Sequence, residues 1–156
     1  MTALQVYRDD GPLAAWVAGR RTGSPLAHPL AWLVPPLVRI AEYGGLIALT
    51  ALSDPDALPF CFAFLGVLAF HHYDTVYRLR LFALGPPAWV RWAGGGWDGR
   101  LVVAALLALA GVLGPGLLVA SVGLGLVYVG EAAWSWRGLA DAQSAAALED
   151  DAEVVE

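Results

Sequence analysis

The chain has 156 residues, of which 58% are hydrophobic and only 15% are charged, and its mean hydropathy is +0.61. This composition is too apolar for an ordinary soluble domain of this size and is typical of a polytopic membrane protein. The single cysteine excludes a disulfide within the chain. Six of the fourteen acidic residues lie in residues 141–156, which contain no basic residue. We therefore expect this segment to be a disordered, acidic cytoplasmic tail.

Residues 1–28 precede the first long apolar run and are expected to lie in the cytoplasm and at the membrane surface. The stretch "GPLAAWVAGRR" predicts a short interfacial helix, with Trp16 at headgroup level and Arg20 and Arg21 in water. No secretory signal is evident, because Asp9 and Asp10 stand where a signal peptide would be basic.

Residues 29–140 are predicted to form an all-α domain of about four transmembrane helices. A span needs about 20 mostly apolar residues, and four segments come close to this length. They are residues 29–52, 57–81, 97–113 and 117–137. The charge-free stretch 101–130 would measure about 45 Å as one helix, longer than a hydrocarbon core of about 30 Å. A hairpin with its turn at "GPG", residues 114–116, is therefore preferred to one kinked helix.

The arginines predict the orientation of these spans. The predicted loops at 53–56 and 114–116 contain no arginine, whereas residues 1–28, residues 78–100 and the end of the last span all do. Basic residues are enriched on the cytoplasmic side of membrane proteins. We therefore expect a multi-pass protein of the cell membrane with both termini in the cytoplasm.

Ionisable residues occur in all four spans, always in the half nearer the cytoplasm. Two sets recur at helical spacing, so the members of each share a helix face. They are Arg39, Glu42 and Tyr43 in the first span, and His71, Asp74, Thr75 and Arg78 in the second. Asp98 and Arg100 open the third span, and Glu131 lies near the end of the fourth. Charged groups within a span are costly unless they are paired or hydrated, and they often mark a functional site. The alternative is that the arginines are interfacial anchors and that the charges pair between helices.

This set of residue types suits a phosphate-bearing substrate, because arginine binds phosphate through two hydrogen bonds and histidine transfers protons near neutral pH. The candidate catalytic residues are His71, His72 and Asp74. The candidate substrate-binding residues are Arg39, Tyr77, Arg78 and Arg100. Carboxylates hold divalent cations, and the candidate ligands for Mg²⁺ are Glu42, Asp98 and Glu131.

Several familiar motifs are absent. The stretch "GGGWDGR" lacks the Lys-Ser/Thr end of a nucleotide-binding loop, and no HExxH, CxxC or GxSxG occurs. Of the CDP-alcohol phosphatidyltransferase signature the chain has only a fragment, at residues 98–100. The expected partner is a membrane lipid, and we expect no nucleic acid.

Three segments, "LVRIAEYGGLIAL", "LAFHHYDTVYRLR" and "GGGWDGRLVVAALLALAG", resemble an uncharacterised actinobacterial membrane domain. The resemblance covers roughly residues 5–140 and is most specific at the HYDxVYR core, residues 72–78. That domain occurs fused to, or encoded beside, nucleotidyltransferase-like and CDP-alcohol phosphatidyltransferase modules. The resemblance implies a context in phospholipid or polyprenyl-phosphate headgroup metabolism and assigns no catalytic residue.

Two functions remain open. The first is an enzyme that transfers or hydrolyses a phosphate group of a lipid or CDP-linked substrate at the cytoplasmic leaflet. The second is a non-catalytic membrane subunit that docks a nucleotidyltransferase or phosphatidyltransferase, and a homodimer is also left open. A transporter is a weaker candidate, because the outer half of the spans carries no polar path.

Overall fold

The computed structural model describes residues 9–11, 14, 16 and 30–153. This part of the chain is all-helical and contains no strand, so the all-α prediction is confirmed for it. The α-helices are α1 (Val34–Ser53), α2 (Leu58–Phe82), α3 (Ala88–Gly94), α4 (Gly96–Leu109) and α5 (Leu113–Glu153). Short 3-10 helices at Ala31–Leu33 and Pro55–Ala57 precede α1 and α2.

Four of these helices form a bundle. Helix α1 packs on α2 and on α4, and α5 packs on the same two helices, so that the four helices form a ring. Helices α1 and α2 are consecutive in the chain, as are α4 and α5, and the short α3 joins these two pairs. Because each pair is a hairpin, the start of α1, the end of α2 and the start of α4 lie at the same end of the bundle.

Proline positions explain where α1 and α2 begin. Pro35 and Pro36 occupy the first turn of α1, and Pro59 occupies the first turn of α2. A helix accepts proline there because the first backbone N–H groups have no partner within the helix. Within the predicted first span, residues 29–52, the α-helix therefore begins only at residue 34.

A hairpin joins α4 to α5, as predicted, but its turn lies earlier than expected. The chain turns at residues 110–112, where Gly111 has a φ of 70°. The "GPG" of residues 114–116 belongs to the start of α5, with the Gly116 N–H donating to the Val112 carbonyl at 3.0 Å. The prediction assigned Pro115 to a turn, whereas this proline lies in the first turn of α5.

The C-terminal end of the chain also differs from expectation. Helix α5 continues to Glu153, so most of the predicted disordered tail is helical. Its alanine, leucine and glutamate residues are strong helix formers, which accounts for the continuation. Near the N-terminus Ala14 and Trp16 are helical, whereas Arg20 and Arg21 lie outside the described residues.

The distribution of polarity is unusual for a water-soluble protein. Among the described residues twelve buried side chains are hydrophobic and eleven are polar or charged, while twenty-six large hydrophobic side chains are exposed. The apolar core surrounds Leu68 and Leu113, and it includes Cys61. The exposed apolar side chains lie on all of the bundle helices.

One helix of the described part, Leu113–Ala145, is long and apolar enough by itself to cross a membrane. Helix α4 has only 14 residues, which is short for a span. Helices α1 and α2 carry ionisable groups such as Glu42 and Asp74 among their apolar residues. Length and composition alone therefore do not establish the four predicted spans.

Candidate functional site

Seven charged side chains of the described residues are buried together at the end of the bundle where α3 lies. All four bundle helices and the N-terminal segment contribute to this polar end. Its buried charged members are Asp9, Glu42, Asp74, Arg78, Asp98, Arg100 and Glu131. Buried charges persist in proteins when they are paired and hydrogen-bonded, and here all but Asp98 divide into two clusters.

The first group, called the Arg100 cluster, joins Asp9, Arg39, Glu42, His72 and Arg100. The Arg100 guanidinium donates from Nε to Glu42 Oε1 at 2.6 Å and from Nη2 to Asp9 Oδ2 at 2.7 Å. Its Nη1 donates to the Gly94 carbonyl at 3.0 Å. Arg39 Nη1 donates to the other oxygen of Glu42, so this carboxylate links α1 to α4. All three nitrogens of the Arg100 guanidinium are therefore engaged.

His72 lies on the open side of the Arg100 cluster. Its Nε2 is 2.7 Å from Arg39 Nη1, and its Nδ1 is 2.9 Å from the Tyr43 hydroxyl. Arginine can only donate, so Nε2 accepts this bond and the ring is neutral with its proton on Nδ1. Nδ1–H then donates to Tyr43. The distance from His72 Nε2 to Asp9 Oδ2 is 3.6 Å, longer than a direct hydrogen bond.

Described residues of the N-terminal segment, among them Asp9, Gly11 and Ala14, contact the start of α4. The Asp98 carboxylate accepts hydrogen bonds from the backbone N–H of Gly11 at 2.6 Å and of Ala14 at 2.9 Å. Trp97 N–H donates to the Asp9 carbonyl at 3.1 Å. The fit requires glycine, because a Cβ on Gly11 would lie 2.2 Å from Asp98 Oδ1. These contacts place the Asp9 side chain inside the Arg100 cluster.

The second group, called the Arg78 cluster, joins α2 to α5. The Arg78 guanidinium forms two parallel hydrogen bonds to Glu131, at 2.8 and 2.7 Å, and a third to Asp74. Trp136 Nε1 donates to Asp74 at 2.8 Å, and the Ser135 hydroxyl donates to Glu131 at 2.6 Å. Arg78 is only 3% exposed, so its paired guanidinium is closed to a substrate.

A cavity of about 330 Å³ adjoins the Arg100 cluster. Its walls come from the N-terminal segment, the start of α1, the end of α2, the segment before α3, and α3 itself. The polar side chains that line it are Asp9, Arg39, His71, His72, Thr75 and Arg91. Two guanidinium groups from different helices, α1 and α3, thus line one cavity beside two imidazoles.

Two of the residues that line the cavity, His71 and Thr75, are themselves buried. His71 is buried and stacks on Tyr128 of α5, with the ring centroids 4.0 Å apart and the planes 13° from parallel. Thr75 is 5% exposed, and its buried hydroxyl has no hydrogen-bond partner among the described residues. A buried hydroxyl without a partner is unfavourable. A polar group of a ligand in the cavity would satisfy it.

Asp9 carries a negative charge at neutral pH although it is 8% exposed. Burial opposes ionisation of this carboxyl, but the Arg100 guanidinium, which donates to it at 2.7 Å, outweighs that effect and holds its pKa well below the usual value. The cavity wall therefore contains a fixed anion paired with the Arg100 guanidinium.

The structure brings together only part of the predicted site. Arg39, His71 and His72 line the cavity, and Arg100 lies directly behind it. The remaining candidates lie elsewhere. Asp74, Arg78 and Glu131 form the Arg78 cluster, Tyr77 is exposed beside Tyr73 on a groove between α2 and α5, and Asp98 holds the N-terminal segment.

The three predicted metal ligands are not brought together. Glu42 is bonded to two arginines, Glu131 to Arg78 and Ser135, and Asp98 to backbone amides. Within the described part of the chain no three His, Cys, Asp or Glu side chains are placed to share a metal ion. These carboxylates do not fit a common Mg²⁺ site.

Two charged residues of the cavity, Asp9 and Arg91, were not among the predicted site residues. Asp9 contacts Arg100 across 91 positions of sequence, and no local pattern indicates such a contact. Arg91 follows "LGPPAWV", which reads as an interfacial loop, and its position indicates membrane orientation rather than a site. In the sequence, Asp9 and Arg91 were indicated only weakly, by a charged side chain close to a predicted span.

The fold and the site define a class of protein, namely a helical bundle with an apolar surface and its charged groups buried at one end. The chain belongs to the family of unknown function DUF5941, whose model matches residues 7–154. This match confirms the resemblance to an uncharacterised domain. No curated protein and no solved structure matches the chain.

Proposed function

We propose that the protein is a multi-pass membrane protein in which α1, α2, α4 and α5 cross the bilayer and both termini are cytoplasmic. The exposed apolar side chains on all four helices support this, because in water so large an apolar surface marks an interaction or membrane surface. Exposed Trp89, Trp92 and Trp134 lie towards the end with the buried charges, as interfacial tryptophans would. The short α4 fits if the bilayer thins locally or if the polar end lies at headgroup level.

Labelling of introduced cysteines tests this topology. Asp56→Cys and Val112→Cys lie in the turns at one end of the bundle, and Ala88→Cys lies at the other. Native Cys61 is buried and provides a low background. A membrane-impermeant maleimide should label the first two positions in intact cells and Ala88→Cys only after lysis. Labelling of Ala88→Cys in intact cells would contradict the proposed orientation.

We propose that this protein acts on the phosphate of a lipid headgroup at the cytoplasmic leaflet, by transfer or hydrolysis. The observation that carries the proposal is the cavity with Arg39 and Arg91 in its walls beside His71 and His72. Guanidinium groups bind phosphate oxygens in pairs of hydrogen bonds. The cavity lies where apolar helix surface meets the polar end, so a lipid can place its headgroup there while its acyl chains stay in the bilayer.

The geometry suggests how these side chains would act. Arg39 is bonded to His72 Nε2 and to Glu42. A phosphate that draws Arg39 away leaves the Nε2 lone pair available as a general base. His72 then takes a proton from water or from an acceptor hydroxyl as that oxygen attacks phosphorus. The bond to the leaving oxygen breaks, and the proton returns to that oxygen. Tyr43 keeps the imidazole oriented through Nδ1.

Lipid analysis tests the activity. A strain that lacks the gene should lose one phosphate-bearing lipid or accumulate its precursor, and the wild-type chain should restore the profile. His72→Gln should fail to restore it at matched protein levels. Arg80→Lys, at an exposed position in the last turn of α2, is the matched control and should restore it. A normal profile with His72→Gln would contradict the proposed catalytic role.

A second candidate is a non-catalytic membrane subunit that docks a nucleotidyltransferase or a CDP-alcohol phosphatidyltransferase. One observation favours it: both terminal nitrogens of Arg78 and all three nitrogens of Arg100 are bonded within the bundle, to carboxylates and to the Gly94 carbonyl, which is typical of structural pairing. In that case His72→Gln should restore the lipid profile, and the partner should co-purify with the chain. Substitutions of exposed residues that release the partner should then also remove the lipid product.

A further inference from the structure

The Asp9 carboxylate occupies the place in the cavity wall that best suits a bound anion. Its Oδ2 lies 2.7 Å from Arg100 Nη2 and 3.6 Å from His72 Nε2, and Arg39 is bonded to the same histidine. Arg100 uses Nε for Glu42 and Nη1 for the Gly94 carbonyl. Nη2 is therefore the nitrogen that would become available if Asp9 moved away.

The backbone of Asp9 has a positive φ. Its φ is 50°, in the left-handed region that few residues with a Cβ adopt and that Asp enters more often than most of them. The hydrogen bond from Trp97 to its carbonyl and the bond from Gly11 to Asp98 hold it there. Conformations of this kind are found where the surrounding structure over-determines them, often in ligand clamps and switch regions.

A carboxylate and a phosphate present similar groups to an arginine. Both offer negatively charged oxygens that accept hydrogen bonds from N–H donors of a guanidinium. A phosphate that bound beside Asp9 would meet a like charge at close range, which is unfavourable. A phosphate that replaced the Asp9 carboxylate would instead gain Arg100 Nη2 and remain next to Arg39 and His72.

We propose that Asp9 is an internal stand-in for the substrate: the lipid phosphate binds where the Asp9 carboxylate lies, on Arg100 Nη2, after the Asp9 side chain withdraws. This inference rests on the proposed function and specifies the anion position within the cavity. It gives Arg100 a direct contact with substrate, and it makes the N-terminal segment a part of the site that competes with the ligand.

Binding measurements on the full-length, detergent-solubilised chain test the proposal. Isothermal titration calorimetry is carried out with dihexanoyl phosphatidic acid and, separately, with inorganic phosphate. Asp9→Asn removes the competing charge and keeps the size of the side chain, so it should bind the phosphatidic acid about tenfold more tightly than wild type. Asp10→Asn is the matched control, because Asp10 contacts the Trp97 indole and does not line the cavity. Its affinity should equal that of wild type.

A second variant guards against misfolding of the first. Gly11→Ala keeps the Asp9 carboxylate but displaces the segment that carries it, since the new Cβ would clash with Asp98 and with the Gly95 carbonyl. It should also tighten binding. Tightening for the phosphatidic acid alone identifies a lipid headgroup as the ligand, and equal tightening for inorganic phosphate identifies free phosphate as sufficient.

The outcomes separate this inference from the proposed function. If wild type binds phosphatidic acid and neither Asp9→Asn nor Gly11→Ala binds it more tightly, the stand-in role is wrong and the phosphate site stands. If neither ligand binds wild type or either variant, the proposed function itself fails, and the inference fails with it.

Discussion

The Arg100 cluster and the Arg78 cluster are built from the same residue types and lie at the same end of the bundle, yet they differ in what surrounds them. In the Arg78 cluster one guanidinium faces two carboxylates, and these carboxylates also accept hydrogen bonds from a tryptophan and a serine. In the Arg100 cluster the chain of contacts ends at Arg39 and His72, which line a cavity. The first is closed, whereas the second opens onto space for a ligand.

This difference separates a structural role from a binding role for arginines that look alike in the sequence. A buried arginine whose donors are used within the bundle stabilises helix packing. An arginine at the edge of a cluster can exchange a protein partner for a substrate. The distinction predicts different results for the same substitution in the two clusters.

The largest effect on stability is expected when the Arg78 cluster loses its guanidinium. Arg78→Met leaves Asp74 and Glu131 buried without a counter-charge, and breaking a buried pair in this way costs about 3–5 kcal/mol. The thermal unfolding temperature in detergent, followed by circular dichroism, should fall markedly. Arg80→Met, at an exposed position on the same helix, should change it little.

Arginine-to-lysine substitutions sharpen the comparison. Arg39→Lys keeps a positive charge but loses the paired hydrogen bonds to phosphate, so lipid product should fall by about tenfold or more while the unfolding temperature stays near wild type. Arg78→Lys should instead lower the unfolding temperature. If Arg39→Lys and Arg80→Lys form the same amount of product, phosphate binding by Arg39 is wrong and only an anchoring role remains.

Substitutions of two adjacent glycines test whether the N-terminal segment packs against the Arg100 cluster. Gly95 and Gly96 both have positive φ angles, of 67° and 68°, so alanine strains the backbone equally at both, by about 1–2 kcal/mol. Only at Gly96 would the new Cβ also meet Gly11, at 2.3 Å. Gly96→Ala should therefore be less stable than Gly95→Ala by about 1–3 kcal/mol. Equal unfolding temperatures for the two variants would show that the segment is not seated there.

The smallest expected effect is a pH dependence from Asp9. Its pKa is depressed in the folded chain, so its stabilising contribution is complete above the unfolded value of 3.8 and is lost as the pH falls through the lower folded value. The difference in unfolding temperature between wild type and Asp9→Asn should be constant from about pH 7 to pH 5 and shrink below about pH 4. A difference that already shrinks between pH 7 and pH 5 would contradict the depressed pKa.

The sequence predicted the polar end of the bundle because helical spacing is a local property. Arg39 and Glu42 fall one turn apart, as do Asp74 and Arg78, and both pairs form ion pairs in the structure. The sidedness of the arginines likewise predicted that the arginines and the ionisable residues of the spans would lie towards one end. The fold class followed from the length and apolarity of the helical segments.

Which charges pair across the bundle was not predictable in the same way. Glu131 lies 53 positions from Arg78, and Asp9 lies 91 positions from Arg100, so only the packing of the helices decides these contacts. Tyr77 shares the HYDxVYR core with His72 but projects onto a different groove. The turn at residues 110–112 was missed because proline is equally acceptable in a turn and in the first turn of a helix.

The central claim is that the cavity beside the Arg100 cluster binds a phosphate-bearing lipid through Arg39 and Arg91. Native mass spectrometry of the full-length chain, purified in mild detergent from its membrane, tests this most directly. Wild type and Arg80→Ala should retain a phosphate-bearing lipid, and the double variant Arg39→Ala/Arg91→Ala should lose it while remaining folded. Retention of the same lipid by a folded double variant would contradict the account.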